Sequence, residues 1–252
     1  MTATLALIRR YPIKSIGGEA VDEASVRPSA RLPGDRIWAL LTEGGEPHAG
    51  EVVDRWLPKS CFVRGAAASQ LQAISGGTGT ADGEGPIRLH HPEKGEIAFD
   101  PASEGSRLVD WITPLWPIER TAPTRLVRAP VSFTDEKAPW VSILSLSSLA
   151  ALERDLGAPF GIPRWRGNLW IDGWPALHER DLIGQVIRIG EVEVLITEPI
   201  GRCAATNADT GTGEVDIDMP AALKQLYGHS DFGIFGQIVT GGTIRIGDRI
   251  TT

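Results

Sequence analysis

The chain has 252 residues, a formal net charge of −7 at neutral pH, 42% apolar residues and 23% charged residues. This length and apolar content suffice for the core of one large or two small domains. The acidic balance argues against a general nucleic-acid-binding protein, because such proteins present a basic face. Two cysteines allow at most one disulfide, which excludes a small fold stapled by several disulfides.

The N-terminal residues lack the basic start and the long apolar segment of a signal peptide. No window approaches the roughly 20 apolar residues that a membrane-spanning helix requires. We therefore expect a cytoplasmic protein with neither a membrane nor a nucleic acid as partner. The chain contains 29 glycines and 18 prolines without a simple repeat, which indicates many turns between short strands.

Short apolar segments separated by turns predict strands throughout the first half of the chain. The first strand ends near Lys14 and Ser15, where two glycines follow. The Glu-Gly-Gly-Glu sequence at 43–46 predicts a hairpin after the third strand. The predicted strands cover residues 3–10, 20–26, 36–42, 87–91 and 96–100.

Residues 106–116 predict a short helix, because their apolar side chains recur at the spacing of one helix face. A linker follows that contains Pro123, Pro130 and Pro139. We place the domain boundary in this linker and predict two domains, which cover residues 1–125 and 126–252.

The second half begins with a predicted strand at 140–145. Ser145 is typical of a helix N-cap, and the apolar periodicity of 146–156 predicts a helix that Gly157 ends. Residues 220–227 predict another short helix, which begins at a proline. The sequence as a whole predicts a mainly β protein with a few short helices.

The most informative stretch, residues 197–218, follows a run of alternating apolar residues that predicts a strand. Pro199 and Gly201 end this strand, and Arg202 and Cys203 come next. An adjacent cation favours the thiolate form of a thiol, and a thiolate is both a nucleophile and a soft metal ligand. The alternative is a small buried cysteine beside a solvent-facing arginine, since free cysteines are often buried.

Several sequence pieces occur in the order in which a known family has them. In the second half they are residues 166–168, 202–206, 209–211, 235–237 and 242–248. These pieces resemble the MOSC domain, the C-terminal domain of molybdenum cofactor sulfurases and the core of the mitochondrial amidoxime-reducing component and its bacterial relatives. Residues 11–15 and 35–38 resemble the N-terminal β-barrel domain of the amidoxime-reducing group. The resemblance implies two associated β-barrel-like domains, of which the second is a MOSC β-barrel.

The resemblance further implies a molybdenum–molybdopterin cofactor held between the two domains. Cys203 would bind the metal through its thiolate, and Cys203 and Asp209 would be the catalytic residues. The remaining cofactor-binding residues would be Lys14, Ser15, Arg36, Arg166, Asn168, Arg202 and Thr206. Lysine and arginine donate to anions, and two arginines around Trp165 could clamp one. The alternatives are a solvated lysine, an arginine at a hairpin mouth and cation–π packing.

By the same resemblance the protein would reduce a small N-hydroxylated substrate, such as an amidoxime or a hydroxylamine. Two cysteines cannot ligate an iron–sulfur cluster, and the chain lacks a dinucleotide-binding glycine motif. We therefore expect a separate ferredoxin-like or flavin reductase as electron donor. A second hypothesis is a sulfur carrier with a persulfide on Cys203. A third is a binding module with a vacant site.

Overall fold

A computed structural model describes residues 3–80, 82–129 and 131–252. Pro130, which we assigned to the linker, lies outside the described residues. The strands are β1 (Thr4–Arg10), β2 (Glu19–Val21), β3 (Glu23–Val26), β4 (Trp38–Thr42), β5 (Ser75–Gly77), β6 (Ile87–His91), β7 (Gly95–Phe99), β8 (Pro123–Arg128), β9 (Trp140–Ser145), β10 (Leu169–Asp172), β11 (Val186–Ile189), β12 (Val192–Gly201), β13 (Asp231–Thr240), β14 (Gly242–Arg245) and β15 (Ile250–Thr251).

The α-helices are α1 (Glu46–Ala49), α2 (Gly105–Ile112), α3 (Leu146–Leu156) and α4 (Met219–Tyr227). Short 3₁₀ helices cover Lys59–Cys61, Ser69–Ala73, Thr113–Leu115, Pro163–Trp165, His178–Leu182 and Ala204–Asn207. The predicted fold class, mainly β with a few short helices, is confirmed. None of the helices in the described ranges is long and apolar enough to cross a membrane.

The strands form one large sheet and three small ones. The large sheet has the order β15-β11-β12-β13-β9-β10-β1-β2. The small sheets are β3–β14, β4–β8 and β5–β6–β7. Across the described residues none of these sheets closes into a barrel.

The two halves of the chain are interwoven through their strands. β1 pairs antiparallel with β10, with Thr4 opposite Asp172 and Ile8 opposite Leu169. β3 pairs with β14 near the C-terminus. Both Leu5 and Ile8 are fully buried in the core of the large sheet. The first strand of the chain therefore belongs structurally to the second half.

Two details of the first half differ from the predictions. No hairpin follows β4, because β4 pairs with β8 and α1 begins at Glu46. The segment predicted as a linker contains β8, so the proposed boundary between residues 125 and 126 falls inside a strand. A turn leaves a local pattern in the sequence. The pairing of β4 with β8 leaves none, because the two strands lie more than 80 residues apart in the chain.

The predicted helices are present with small changes at their ends. Ser145 caps α3 by accepting a hydrogen bond from Ser148 N at 3.5 Å, and Gly157 ends the helix in the left-handed conformation. α2 ends at Ile112 and continues as a 3₁₀ turn, because Pro114 has no N–H to extend the α-helical pattern.

Glu179 is a carboxyl group in the packed interior beside α3. Only 2% of its surface is exposed, and its Oε2 accepts a hydrogen bond from Ser148 Oγ at 2.8 Å. Burial raises the pKa of Glu179 above its ordinary value, because desolvation penalises the carboxylate. The hydrogen bond from Ser148 opposes this rise without cancelling it.

We expect Glu179→Gln to stabilise the fold at pH 7 by about 1 kcal/mol. Because the pKa of Glu179 is higher in the folded than in the unfolded protein, its protonated form contributes to the free energy of unfolding. This contribution is complete below the unfolded-state pKa and is lost as pH rises through the folded-state pKa. Glutamine keeps an acceptor for Ser148 and carries no charge, so its advantage should disappear near pH 4. Thermal melting at both pH values checks this, with Glu96→Gln on the exposed edge of β7 as control. Equal melting of the Glu179→Gln variant and the parent at pH 7 would contradict it.

Candidate functional site

A cavity of about 460 Å³ lies where segments of the first half meet the large sheet. Eight of the nine predicted site residues line it: Lys14, Ser15, Arg36, Arg166, Asn168, Arg202, Cys203 and Thr206. A more open hollow of about 510 Å³ near Ala67 and Trp116 contains none of them. The motifs of both halves therefore converge on one cavity.

Cys203 is placed by the end of β12. It is an exposed residue of the cavity wall and immediately precedes the 3₁₀ helix Ala204–Asn207. Its carbonyl accepts hydrogen bonds from the N–H and the Oγ1 of the buried Thr206, both at 2.9 Å. These bonds fix the loop that presents the sulfur. The alternative of a buried cysteine is therefore wrong for Cys203, whereas the other cysteine, Cys61, is buried in the first-half core.

Arg202 turns away from solvent and braces the same loop. Its Nε donates to Phe232 O at 2.8 Å, its Nη1 donates to Trp165 O at 2.9 Å, and its guanidinium lies 5.4 Å from the centre of the Trp165 ring. Within the described ranges no carboxylate forms an ion pair with it. Burial lowers the pKa of Arg202 to about 10, although Cys203 acts in the opposite direction.

Arg36 and Arg166 line the cavity, and both pack against the ring of Tyr11. Their guanidinium carbons lie 5.0 and 4.4 Å from the Tyr11 ring centre. Arg36 pairs with Asp35 and also donates to Arg166 O at 3.0 Å. Arg166 donates to Gly17 O at 2.8 Å. Burial, and then the charge of Arg36, lower the pKa of Arg166 to about 10.

Three residues that line the cavity have left-handed backbone conformations, which residues other than glycine seldom adopt. Ser15, Arg36 and Arg166 have φ values of 65°, 52° and 49°. Each such residue costs about 1–2 kcal/mol relative to an ordinary conformation. Strain of this kind concentrates at functional sites, where the surrounding structure holds it in place.

Lys14 is buried, with 4% of its surface exposed, and its Nζ donates to Phe133 O at 2.9 Å. It also pairs with Asp135, whose side chain is half-exposed on the loop over the cavity. Burial lowers the pKa of Lys14, and the Asp135 carboxylate only partly offsets this effect. For Asp135, burial acts towards a higher pKa, yet the charge of Lys14 holds the pKa below its usual value.

Asn168 and Arg164 are tied to the scaffold. Asn168 Oδ1 accepts from Ser142 Oγ at 2.8 Å, and its Nδ2 donates to Arg9 O at 3.2 Å, which joins three strands. The buried Arg164 forms a two-point ion pair with Asp216 at 2.8 and 2.7 Å. Arg164 therefore does not complete an anion clamp with Arg166, and its guanidinium packs 5.1 Å from the Phe160 ring centre.

Asp209 is the one predicted site residue that does not line the cavity, although its Oδ2 lies 3.8 Å from Nη2 of Arg164, which does line it. Its Oδ1 accepts from the N–H groups of Gly211 and Thr212, at 2.8 and 2.9 Å. An aspartate that bonds the backbone two residues onward stabilises a turn. These bonds stabilise the loop that contains Asp209, and its catalytic role stays a prediction.

Sequence reasoning missed several residues in or next to the cavity. Tyr11 lies in a matched motif just outside the cavity lining, and no sequence signal marks its ring as the partner of three arginines, Arg9, Arg36 and Arg166. Trp140 was treated only as the start of a strand, and Phe235 only as part of a motif. No local sequence signal marks Glu198. Trp140, Glu198 and Phe235 all line the cavity.

We expect Asp135→Asn to strengthen anion binding in the cavity about fivefold, because the substitution removes a carboxylate that repels anions from the cavity lining. Titration calorimetry with inorganic sulfate on cofactor-free protein measures this. Asp54→Asn, which removes an exposed carboxylate outside the cavity lining, is the control. Unchanged or weaker sulfate binding by the Asp135→Asn variant would show that the Asp135 carboxylate does not oppose anion binding in the cavity.

The fold and site together define a mainly β protein with a cationic cavity around one exposed thiol. Residues 129–251 match the model of the MOSC domain family, and residues 2–92 match that of the MOSC N-terminal beta barrel domain. The two matches cover most of the chain, which therefore belongs to the MOSC-domain proteins that carry this N-terminal domain. No curated protein sequence matches the chain significantly.

Solved structures with detectable similarity include YiiM from Geobacillus stearothermophilus, at 19% identity and a TM-score of 0.35 over 44% of this chain and 52% of that one. YiiM from Escherichia coli gives 20% identity and a TM-score of 0.34, over 44% and 52%. The YuaD protein from Bacillus subtilis gives 13% identity and a TM-score of 0.44, over 99% and 94%. The chain thus spans about half the length of the YiiM proteins it matches.

Proposed function

We propose that the cavity binds the molybdenum–molybdopterin cofactor and that the protein reduces N-hydroxylated substrates. The observation that carries this proposal is the position of Cys203. Its thiol is exposed on the wall of a cavity that also contains two arginines, Arg166 and Arg202, with no carboxylate partner among the described residues.

The side chains of the cavity fit such a group chemically. Lys14, Arg36, Arg166 and Arg202 bring four cations to one cavity, whereas only Lys14 and Arg36 have a carboxylate partner in the described part of the chain. The excess positive charge would favour the phosphate of a pterin cofactor. A thiolate at Cys203 is a soft ligand that suits molybdenum bound by other sulfur atoms.

When bound, the cofactor would supply two-electron redox chemistry. In the overall reaction an amidoxime accepts two electrons and two protons, its N–O bond breaks, and the products are an amidine and water. Cys203 would hold the metal, and Arg166 and Arg202 would bind and orient the anionic part of the cofactor. Thr206 fixes the loop that carries the thiol. The electrons would come from a separate ferredoxin-like or flavin reductase.

The test uses protein purified from a molybdenum-replete host. We expect molybdenum near equimolar with the chain, and reduction of benzamidoxime to benzamidine when a reduced viologen dye supplies the electrons. Protein that contains equimolar molybdenum and leaves benzamidoxime and phenylhydroxylamine unchanged would refute the reductase proposal.

A second candidate function is a sulfur carrier, which the exposure of Cys203 also favours. In that case the purified protein would release sulfane sulfur on treatment with cyanide and would contain no molybdenum. A vacant binding module is the third candidate. It would retain any activity that is found after replacement of Cys203 by alanine.

A further inference from the structure

We propose that Trp140, Phe235 and Glu198 form a substrate subsite that selects flat molecules carrying a positive charge. This inference rests on the proposed reductase function for the identity of the substrate. The binding preference itself belongs to the cavity wall and can be measured without the cofactor.

The flat surface comes from two neighbouring strands of the large sheet. On β9 and β13, Phe235 lies opposite Ser142, and Trp140 lies opposite Gln237. The Trp140 and Phe235 ring centres are 5.4 Å apart with an angle of 34° between the rings. Both side chains are half-buried and line the cavity. Such a pair offers ring faces against which a planar group can stack.

A β-bulge places Glu198 beside this surface. Ile196 lies opposite Gly236, but Pro199 lies opposite Ile234, so β12 contains one extra residue between these positions. Bulges re-aim side chains and occur often next to active sites. Thr197 Oγ1 within the bulge donates to Phe235 O at 3.2 Å, which ties the bulge to the aromatic strand.

The carboxylate of Glu198 is available to a ligand. Glu198 is exposed, lines the cavity, and forms no hydrogen bond or ion pair with any described residue. Glu136, also exposed, lines the same cavity. A carboxylate together with aromatic faces is a favourable environment for a cation, through charge attraction and through cation–π contact.

The residues that line the cavity therefore include two groups that suit ligands of opposite charge. The cations Lys14, Arg36, Arg166 and Arg202 suit an anionic cofactor, whereas Glu198 and the ring pair suit a cation. Glu198 and Cys203 both line the cavity, so a ligand held by Glu198 occupies the same cavity as the thiol. An aromatic amidoxime or hydroxyguanidine with a positive substituent combines the required flatness and charge.

The first experiment measures binding to cofactor-free protein by titration calorimetry. Benzamidinium and benzamide have nearly the same shape and differ in charge. We expect benzamidinium to bind about fivefold more tightly, a difference that falls with added salt. Glu198→Gln should equalise the two affinities, and Trp140→Phe should preserve the preference. Glu96→Gln, remote from the cavity lining, is the matched control.

The second experiment uses the molybdenum-loaded protein and benzamidoximes with a 4-aminomethyl, 4-methyl or 4-carboxy group. We expect kcat/KM to be about tenfold higher for the cationic than for the anionic compound, and Glu198→Gln to bring this ratio close to one. Trp140→Ala should raise KM and leave the molybdenum content unchanged.

The outcomes separate this inference from the proposed function. Reduction of all three compounds with a charge ratio that Glu198→Gln does not change would overturn the subsite alone. Selective binding of benzamidinium without reduction of any compound would support the subsite and refute the reductase. Loss of molybdenum from the Trp140→Ala protein would assign the rings to the cofactor and overturn the inference.

Discussion

Protein in which Cys203 is replaced by serine should contain less than a hundredth of the parent's molybdenum and activity, because a hard hydroxyl group replaces the soft thiolate. The fold should not change, since the hydrogen bonds that shape this loop use the carbonyl of Cys203 and not its side chain. Elemental analysis and the benzamidoxime assay give the result, and circular dichroism checks the fold.

The second cysteine of the chain provides a matched control. Cys61 is buried in the first-half core, so Cys61→Ser should lower stability by about 1–2 kcal/mol through burial of a hydroxyl group. It should leave the molybdenum content unchanged. If Cys203→Ser retains metal and activity while Cys61→Ser loses them, the assignment of the metal-binding thiol is wrong.

Arg166→Gln should weaken the binding of inorganic sulfate to cofactor-free protein by about tenfold to a hundredfold, because a charge-assisted hydrogen bond contributes about 1.5–3 kcal/mol. Titration calorimetry measures this loss. Arg188→Gln on β11 is the control, because this arginine is exposed and pairs with Glu193. Equal losses in the two variants would show that sulfate responds to overall charge and not to the cavity.

The pH dependence of sulfate binding follows from the lowered pKa values of Arg166 and Arg202, both about 10. Sulfate keeps its charge across this range and binds the protonated arginines. Its affinity should therefore fall as pH rises through 10, and loss of the proton of Lys14, whose pKa burial also lowers, adds to this fall. In the Arg166→Gln variant the fall should be shallower, because one cation fewer remains in the cavity to lose its proton.

The effect of Arg166→Gln on stability should be small in the absence of an anion. Removal of a cation that burial disfavours stabilises the protein, whereas loss of the hydrogen bonds to Gly17 O and Ile13 O destabilises it. We expect the free energy of unfolding to change by less than about 1 kcal/mol. This separates a binding defect from a folding defect.

The residues of the site could be predicted largely because they lie in local motifs. Cys203, Arg166 and Lys14 each belong to a short recognisable segment, and the cavity unites them. Helix α3 was predictable to its last residue, since its cap, its periodicity and its final glycine are all local signals. Local patterns thus identified the class of fold and eight of the residues that line the cavity.

Other features depend on contacts that no local pattern records. The pairing of β1 with β10 and of β3 with β14 depends on which edges meet in the folded chain. The orientation of Glu198 results from a single extra residue in β12, which becomes visible only against its partner strand. Asp209 matched a motif, yet its hydrogen bonds show that it stabilises a turn.

The pairing of β1 with β10 has a consequence for biosynthesis. The ribosome makes Leu5 and Ile8 early, but their partner strand emerges only after more than half of the polypeptide has been translated. Until then the nascent N-terminal segment exposes an unpaired apolar edge that a chaperone can recognise. Because the residues that line the cavity run from Lys14 to Phe235, the proposed cofactor could be held only after the chain has been made through β13.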